Sequence, residues 1–62
     1  MPVITLDSSQ LTKEQKQRLV SELTRVASEI TRIPESAFVV YLKEHNRDNI
    51  GVGGKLLSEV DK

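Results

Sequence analysis

The chain lacks cysteine, contains a single histidine and carries no net charge. Without cysteine there is neither a disulfide nor a thiolate metal site, and His45 does not build a zinc site by itself. Lys plus Arg number 9 and Asp plus Glu number 9, so no basic field exists to neutralise a phosphate backbone. The composition therefore predicts no metal site and no nucleic-acid partner.

Long apolar segments are also missing. No run approaches the ~20 residues of a membrane span, and the first residues lack the charged and apolar regions of a signal peptide. We expect a soluble, cytoplasmic protein with no membrane partner, forming one domain over residues 1–62. A domain of this size buries only ~60% of the surface of its unfolded chain. With no disulfide or metal to stabilise it, we expect self-association.

What is present is a strand, helix and strand pattern. Residues 3–7 form a β-branched run that is followed by turn-prone serines. Thr12 and Gln15 match a helix capping box. Apolar residues then recur at steps of three and four, which predicts one amphipathic helix of five or six turns ended by Pro34: Leu19, Leu23, Val26, Ile30 and Ile33. Residues 37–43 alternate as a second strand.

The connection between the strands is too long for a hairpin. The predicted fold is therefore α+β, a single βαβ unit with parallel strands and a right-handed crossover. The helix covers one face of this sheet and leaves Val39 and Tyr41 on the other, although parallel sheets normally have both faces covered. We expect other copies of the chain to cover this second face of the sheet. Residues 49–57 predict a C-terminal glycine-rich ribbon that pairs with a neighbouring subunit.

Pro2 is the first candidate for chemistry, because it follows Met1 directly and precedes the first strand. If Met1 is removed, Pro2 becomes a secondary amine held at the end of a structured element. The ordinary pKa of an α-amino group is ~8, and burial without a counter-charge lowers it towards neutrality, where the amine acts as a base. The structural alternative is that Pro2 only permits removal of Met1 or starts an edge strand.

Four other features favour structural interpretations. The glycines of residues 51–54 lack the long following helix and the Lys-Ser/Thr pair of a phosphate loop, so we interpret them as sites of positive φ and close backbone contact. His45 lies in a polar turn with no evident orienting partner, as expected of an exposed loop histidine. The serines have no base at a recognisable spacing. Tyr41 is assigned to packing between subunits.

Taken together, four features resemble the 4-oxalocrotonate tautomerase family. They are Pro2 opening the first strand, a capped helix containing Glu14-Gln15-Lys16, a second strand, and Gly-Val-Gly-Gly at residues 51–54. The resemblance covers essentially the whole chain. It implies a homohexamer built as a trimer of dimers and a cofactor-independent isomerase. It also implies that Pro2 is the general base, which moves a proton along a conjugated enol or keto acid such as 2-hydroxymuconate.

The chain departs from this family at three positions. Members that bind dicarboxylates use an arginine before the helix, a second arginine on the second strand and an aromatic residue before the glycine motif. Aligned on residues 14–16, these positions hold Leu11, Val39 and Ile50. Loss of both arginines removes bidentate carboxylate recognition and electrostatic stabilisation of the dienolate. We therefore predict a more apolar pocket lined by these three residues and a substrate unlike the doubly charged one.

Replacement cations are available in nearby segments or in neighbouring subunits. The candidates are Arg47, Lys43 and Lys13, and the alternative is that they are solvated surface charges. Two other functions stay open: a non-catalytic oligomeric binding or structural protein on the same scaffold, and a proline-dependent hydratase or dehalogenase. Titration of Pro2 near neutral pH, and loss of turnover when it is replaced, distinguish an enzyme from a binding protein.

Overall fold

The computed structural model describes residues 1–60, which form a parallel two-stranded sheet, one long helix and a small C-terminal hairpin. In chain order the elements are β1 (Val3–Ser8), α1 (Lys13–Thr31), β2 (Val39–Glu44), β3 (Gly51–Val52), β4 (Lys55–Leu56) and α2 (Leu57–Val60). Short 3₁₀ turns precede and follow β2, at Glu35–Ala37 and Arg47–Asn49. Within the described residues, no helix combines the length and apolar character needed to cross a bilayer.

The two strands of the main sheet pair in parallel, from Val3 opposite Val39 to Ser8 opposite Glu44. One face is half-buried beneath α1 and is formed by Ile4, Leu6, Val40 and Leu42. The opposite face is open, and Tyr41 on it is 55% exposed. The predicted βαβ unit and the predicted assignment of side chains to the two faces of β2 are therefore confirmed.

Helix α1 begins at the predicted capping box. The Thr12 hydroxyl accepts a hydrogen bond from the Gln15 N–H at 3.1 Å, and the Gln15 side chain accepts one from the Thr12 N–H at 2.9 Å. These two bonds satisfy backbone donors that the first turn of a helix leaves free. The sequence pattern and the observed start of the helix therefore agree.

The helix ends earlier than predicted. Arg32 adopts the left-handed conformation with φ 62°, and its N–H donates to the Ser28 carbonyl at 2.9 Å. The helix therefore stops before Pro34 is reached. Ile30 continues the predicted apolar stripe one turn after Val26, but in the single chain it is 77% exposed. The reason is length: a helix of 19 residues spans about 28 Å and strands of six residues about 20 Å, so the last turn extends beyond the sheet.

The single chain has no closed hydrophobic core. Its radius of gyration is 14.9 Å, whereas a compact chain of this length has one of about 11 Å. It exposes 5026 Å², against about 4,000 Å² for a folded monomer of this size. No side chain within residues 1–60 is fully buried, and large apolar side chains are exposed on the sheet, the helix and the hairpin: Val3, Val20, Val26, Ile30, Tyr41, Val52, Leu56 and Val60.

The predicted C-terminal ribbon is an antiparallel hairpin, with Gly51 opposite Leu56 and Val52 opposite Lys55. Gly53 and Gly54 form its turn with φ of 62° and 85°, a conformation that side-chain-bearing residues rarely adopt in succession. The hairpin strands pair with each other within the chain. Pairing with a neighbouring subunit stays a prediction.

Candidate active site

Pro2 lies immediately before β1 and beside the start of β2. Its carbonyl accepts a hydrogen bond from the Val39 N–H at 3.1 Å, which extends the ladder between the two strands by one step. Pro2 is half-buried, whereas Met1 is 90% exposed. With Met1 attached, the Pro2 nitrogen is a tertiary amide that has neither an N–H nor a basic lone pair. The main chain therefore holds Pro2 in place, but its nitrogen is basic only after Met1 is removed.

Of the three predicted pocket residues, the chain places Val39 next to Pro2 and the other two elsewhere. The Leu11 N–H donates to Glu44 Oε2 at 2.9 Å, which places Leu11 at the last residue of β2. Because β2 advances about 3.3 Å per residue, Glu44 lies about 16 Å from Val39. Ile50 follows the 3₁₀ turn after β2, and its carbonyl accepts a hydrogen bond from the Leu57 N–H at 2.7 Å. Leu11 and Ile50 therefore lie towards the end of the sheet that is opposite Pro2.

The three candidate cations also lie towards that opposite end. Lys43 is exposed on the open face of β2, in register with Asp7. Lys13 is exposed in the first turn of α1. Arg47 begins the 3₁₀ turn after β2 and lines a polar cavity of about 470 Å³ with Ser9, Gln10, Asn46, Asp48 and Ser58. Within one chain, none of these cations is adjacent to Pro2.

Glu44 connects β2 to the segment that enters α1. Its Oε2 accepts the hydrogen bond from Leu11, and its Oε1 lies 2.5 Å from Lys16 Nζ. The pKa of Glu44 is lowered from its ordinary value, first by the Leu11 N–H and then by the ammonium group of Lys16. No local sequence pattern predicts this contact, because Glu44 and Leu11 are 33 positions apart.

His45 has an orienting partner, so the expectation that it lacks one is wrong. Its Nε2 lies 2.8 Å from Asp7 Oδ1 and donates to it, because an ionised carboxylate only accepts. This hydrogen bond is the main cause of the lowered pKa of Asp7, and the charge of Lys43 adds to it. Asp7 and His45 are 38 positions apart, and the parallel register brings them together. The pair lies at the strand end remote from Pro2.

An apolar groove runs along α1, with a volume of about 490 Å³. Leu11 lies at its start, and the groove continues along the helix past Leu19, Leu23 and Val26, with Gln15, Arg18 and Glu22 at the lining as well. The groove is therefore continuous with the segment that Glu44 holds. It is a second apolar surface, besides the open sheet face, that the single chain does not cover.

Comparison with known proteins identifies the family. A family model described as tautomerase enzyme matches residues 2–59. The chain belongs to the tautomerase family. A probable tautomerase of Bacillus cereus is 38% identical over 60 residues, which are 95% of this chain and 98% of the relative. These findings confirm the predicted family.

Two solved structures agree with this family assignment. The crystal structure of YwhB, a homologue of 4-oxalocrotonate tautomerase, has a TM-score of 0.87 and 36% identity over 94% of this chain and 97% of that one. A second crystal structure of a 4-oxalocrotonate tautomerase homologue has a TM-score of 0.88 and 35% identity over 100% and 97%. The tautomerase fold is thus confirmed, and tautomerase-like activity of the isomerase class follows at the level of the family.

Proposed function

We propose that this tautomerase-family protein is a cofactor-independent keto–enol isomerase whose general base is Pro2, exposed by removal of Met1. The observation that carries the proposal is the placement of Pro2: its carbonyl is held by the Val39 N–H at the start of the sheet, so that its nitrogen lies at the free end of a fixed strand. The family match also begins at residue 2.

The proposed chemistry is a proton transfer that needs no other reactant. The secondary amine of Pro2 has an ordinary pKa of about 8, and its half-buried position favours the neutral form. The neutral amine takes a proton from the hydroxyl group of a 2-hydroxydienoate, or from the carbon next to a carbonyl. The resulting ammonium group returns that proton to another carbon of the conjugated system. The enol is thereby converted to its keto isomer, and the amine is regenerated.

We further propose that a complete site combines Pro2 and Val39 of one chain with Leu11 and Ile50 of another. About 16 Å of sheet separates the two sets within one chain, which is too far for one small substrate to contact both. The open sheet face and the apolar groove along α1 provide surfaces for such association. The assembly we propose is a homohexamer, a trimer of dimers, in which each protomer is one domain of residues 1–62.

The proposed pocket favours a substrate with one carboxylate. Leu11, Val39 and Ile50 provide apolar walls and no charge, so a second carboxylate would be desolvated without a partner. We assign binding of the substrate's single carboxylate to Arg47 or Lys43 of a neighbouring subunit. Both residues lie at the same end of the sheet as Leu11 and Ile50. An enol monoacid such as phenylenolpyruvate is therefore the proposed substrate class.

The test separates the protein by mass into Met1-containing and Met1-free chains and assays both with phenylenolpyruvate and 2-hydroxymuconate. We expect isomerisation only in the Met1-free fraction, with higher kcat/KM for the monoacid. Both fractions must first show the same circular dichroism and the same native mass. Equal activity in the two fractions would remove Pro2 as the base. The remaining alternatives would then be His45 as the base, which is paired with Asp7, or a non-catalytic binding function.

A further inference from the structure

Glu44 makes a long-range contact to the segment between β1 and α1, which includes the proposed pocket residue Leu11. One carboxylate oxygen accepts the Leu11 N–H at 2.9 Å, and the other lies 2.5 Å from Lys16 Nζ. Lys16 is in the first turns of α1, and Glu44 is the last residue of β2. Lys16 on α1 therefore binds one oxygen of the carboxylate, and the other oxygen accepts the hydrogen bond from the Leu11 backbone. A change at Glu44 releases both contacts at once.

The contribution of this contact to stability is small, since the side chains of Lys16 and Glu44 are 37% and 31% exposed and ion pairs near the surface add little. Its effect on position is larger. A displaced pocket wall loses apolar contact with the substrate, and a single methylene in a hydrophobic pocket changes kcat/KM by roughly 10- to 200-fold. The Glu44 carboxylate is charged at neutral pH, as any glutamate of ordinary or lowered pKa is, so both contacts persist there. The geometry therefore favours a role in placing Leu11 over a role in holding the fold.

We infer that Glu44 is a positioning residue of the isomerase site, which fixes the backbone of Leu11 and with it one wall of the substrate pocket. This inference rests on the proposed function, in which Leu11 contacts the substrate. Leu11 carries no group that moves a proton. Its displacement therefore weakens binding of substrate and transition state alike, which raises KM and leaves kcat nearly unchanged.

The neighbouring Asp7–His45 pair supplies a matched control. Like the Glu44 contact, it links distant residues through a carboxylate: Asp7 lies in β1, His45 follows β2, and the two are 38 positions apart. The Asp7–His45 hydrogen bond does not involve Leu11. Asp7→Ala therefore reproduces the loss of a long-range carboxylate contact at this edge of the sheet and keeps the hydrogen bond between Glu44 and Leu11.

The kinetic test uses Met1-free protein in its native assembly with phenylenolpyruvate as substrate. We expect Glu44→Ala to raise KM about tenfold, with kcat within about twofold of the wild type. Glu44→Gln keeps an oxygen that accepts the Leu11 N–H and should raise KM only about threefold. Lys16→Met keeps the hydrogen bond between Glu44 and Leu11 and should raise KM no more than Glu44→Gln does. Asp7→Ala should leave KM within about twofold.

The structural test measures hydrogen exchange at the Leu11 amide by NMR. We expect exchange about tenfold faster in Glu44→Ala and unchanged in Asp7→Ala. Unchanged Leu11 exchange in Glu44→Ala overturns the inference. Faster exchange with an unchanged KM also overturns it, as does a fall in kcat at constant KM. If the wild type turns over neither substrate, the proposed function fails instead, and the Leu11 exchange still decides whether Glu44 holds that segment.

Discussion

The two ends of the parallel sheet are held in different ways. Where the strands begin, a backbone hydrogen bond from the Val39 N–H fixes the Pro2 carbonyl. Where the strands end, two carboxylates link distant segments, Glu44 to Leu11 and Asp7 to His45. The proposed base thus lies at one end of the chain's sheet, and most of the proposed pocket lies towards the other. The comparison implies that two copies of the chain are needed to bring base and pocket together.

The largest effect is expected at the strand-start end. In the Met1-free protein, Pro2→Ala replaces a cyclic secondary amine by a freely rotating primary amine of different basicity. We expect kcat/KM for phenylenolpyruvate to fall about 100-fold, within the range of general-base contributions. Steady-state assays measure this, and circular dichroism and native mass serve as controls for folding. Activity within a few-fold of the wild type would mean that the base lies elsewhere.

Mixing variants tests whether the two ends of a site come from different chains. Pro2→Ala chains and Ile50→Asp chains should each be nearly inactive. After they are unfolded and refolded together, about a quarter of the sites in a symmetric two-chain arrangement should combine an intact Pro2 with an intact Ile50. Recovered turnover measures this fraction. Each parent must show a native mass above that of one chain in light scattering, and no recovery in the mixture would contradict a shared site.

A smaller effect is expected for substrate preference. Val39→Arg adds a cation beside Pro2, where a second carboxylate has no partner in the wild type. We expect the ratio of kcat/KM for 2-hydroxymuconate to that for phenylenolpyruvate to rise about tenfold, the value of one charge-assisted hydrogen bond. Val39→Lys is the matched variant, because it carries the same charge without the bidentate fork, and it should raise the ratio less. Efficient wild-type turnover of the dicarboxylate would show that another cation, Arg47 first, already serves it.

The smallest effect is expected for the stability of the protein in acid, through the Asp7–His45 pair where the strands end. The pKa of Asp7 is lowered in the folded chain, mainly by the hydrogen bond from His45. The stabilisation is therefore present above the ordinary Asp pKa of about 3.9 and is lost as pH falls through the lowered value. Because this pair is exposed, Asp7→Asn should lower Tm by at most a few degrees at about pH 6. Thermal unfolding at fixed protein concentration should show that this difference shrinks as pH falls below about 3.9.

Several features are determined by the sequence because neighbouring residues encode them. Thr12 and Gln15 start α1 through their own side chains. Strand alternation assigns Val40 and Leu42 to the half-buried face, and the paired glycines at 53 and 54 permit the hairpin turn. The position of Pro2 at the start of β1, together with these elements, was enough to predict the family.

Other features were decided only by the tertiary structure, because they depend on residues far apart in the chain. Nothing local predicts that Asp7 meets His45 or that Glu44 holds Leu11, since the register of two parallel strands brings these residues together across a helical crossover. The exposure of Ile30 follows from the greater length of α1 relative to the strands, a comparison between two elements. The parallel pairing also places the segment after β2, which includes Ile50, at the same edge of the sheet as Leu11, which follows β1. The length of the strands therefore separates both residues from Pro2 within one chain.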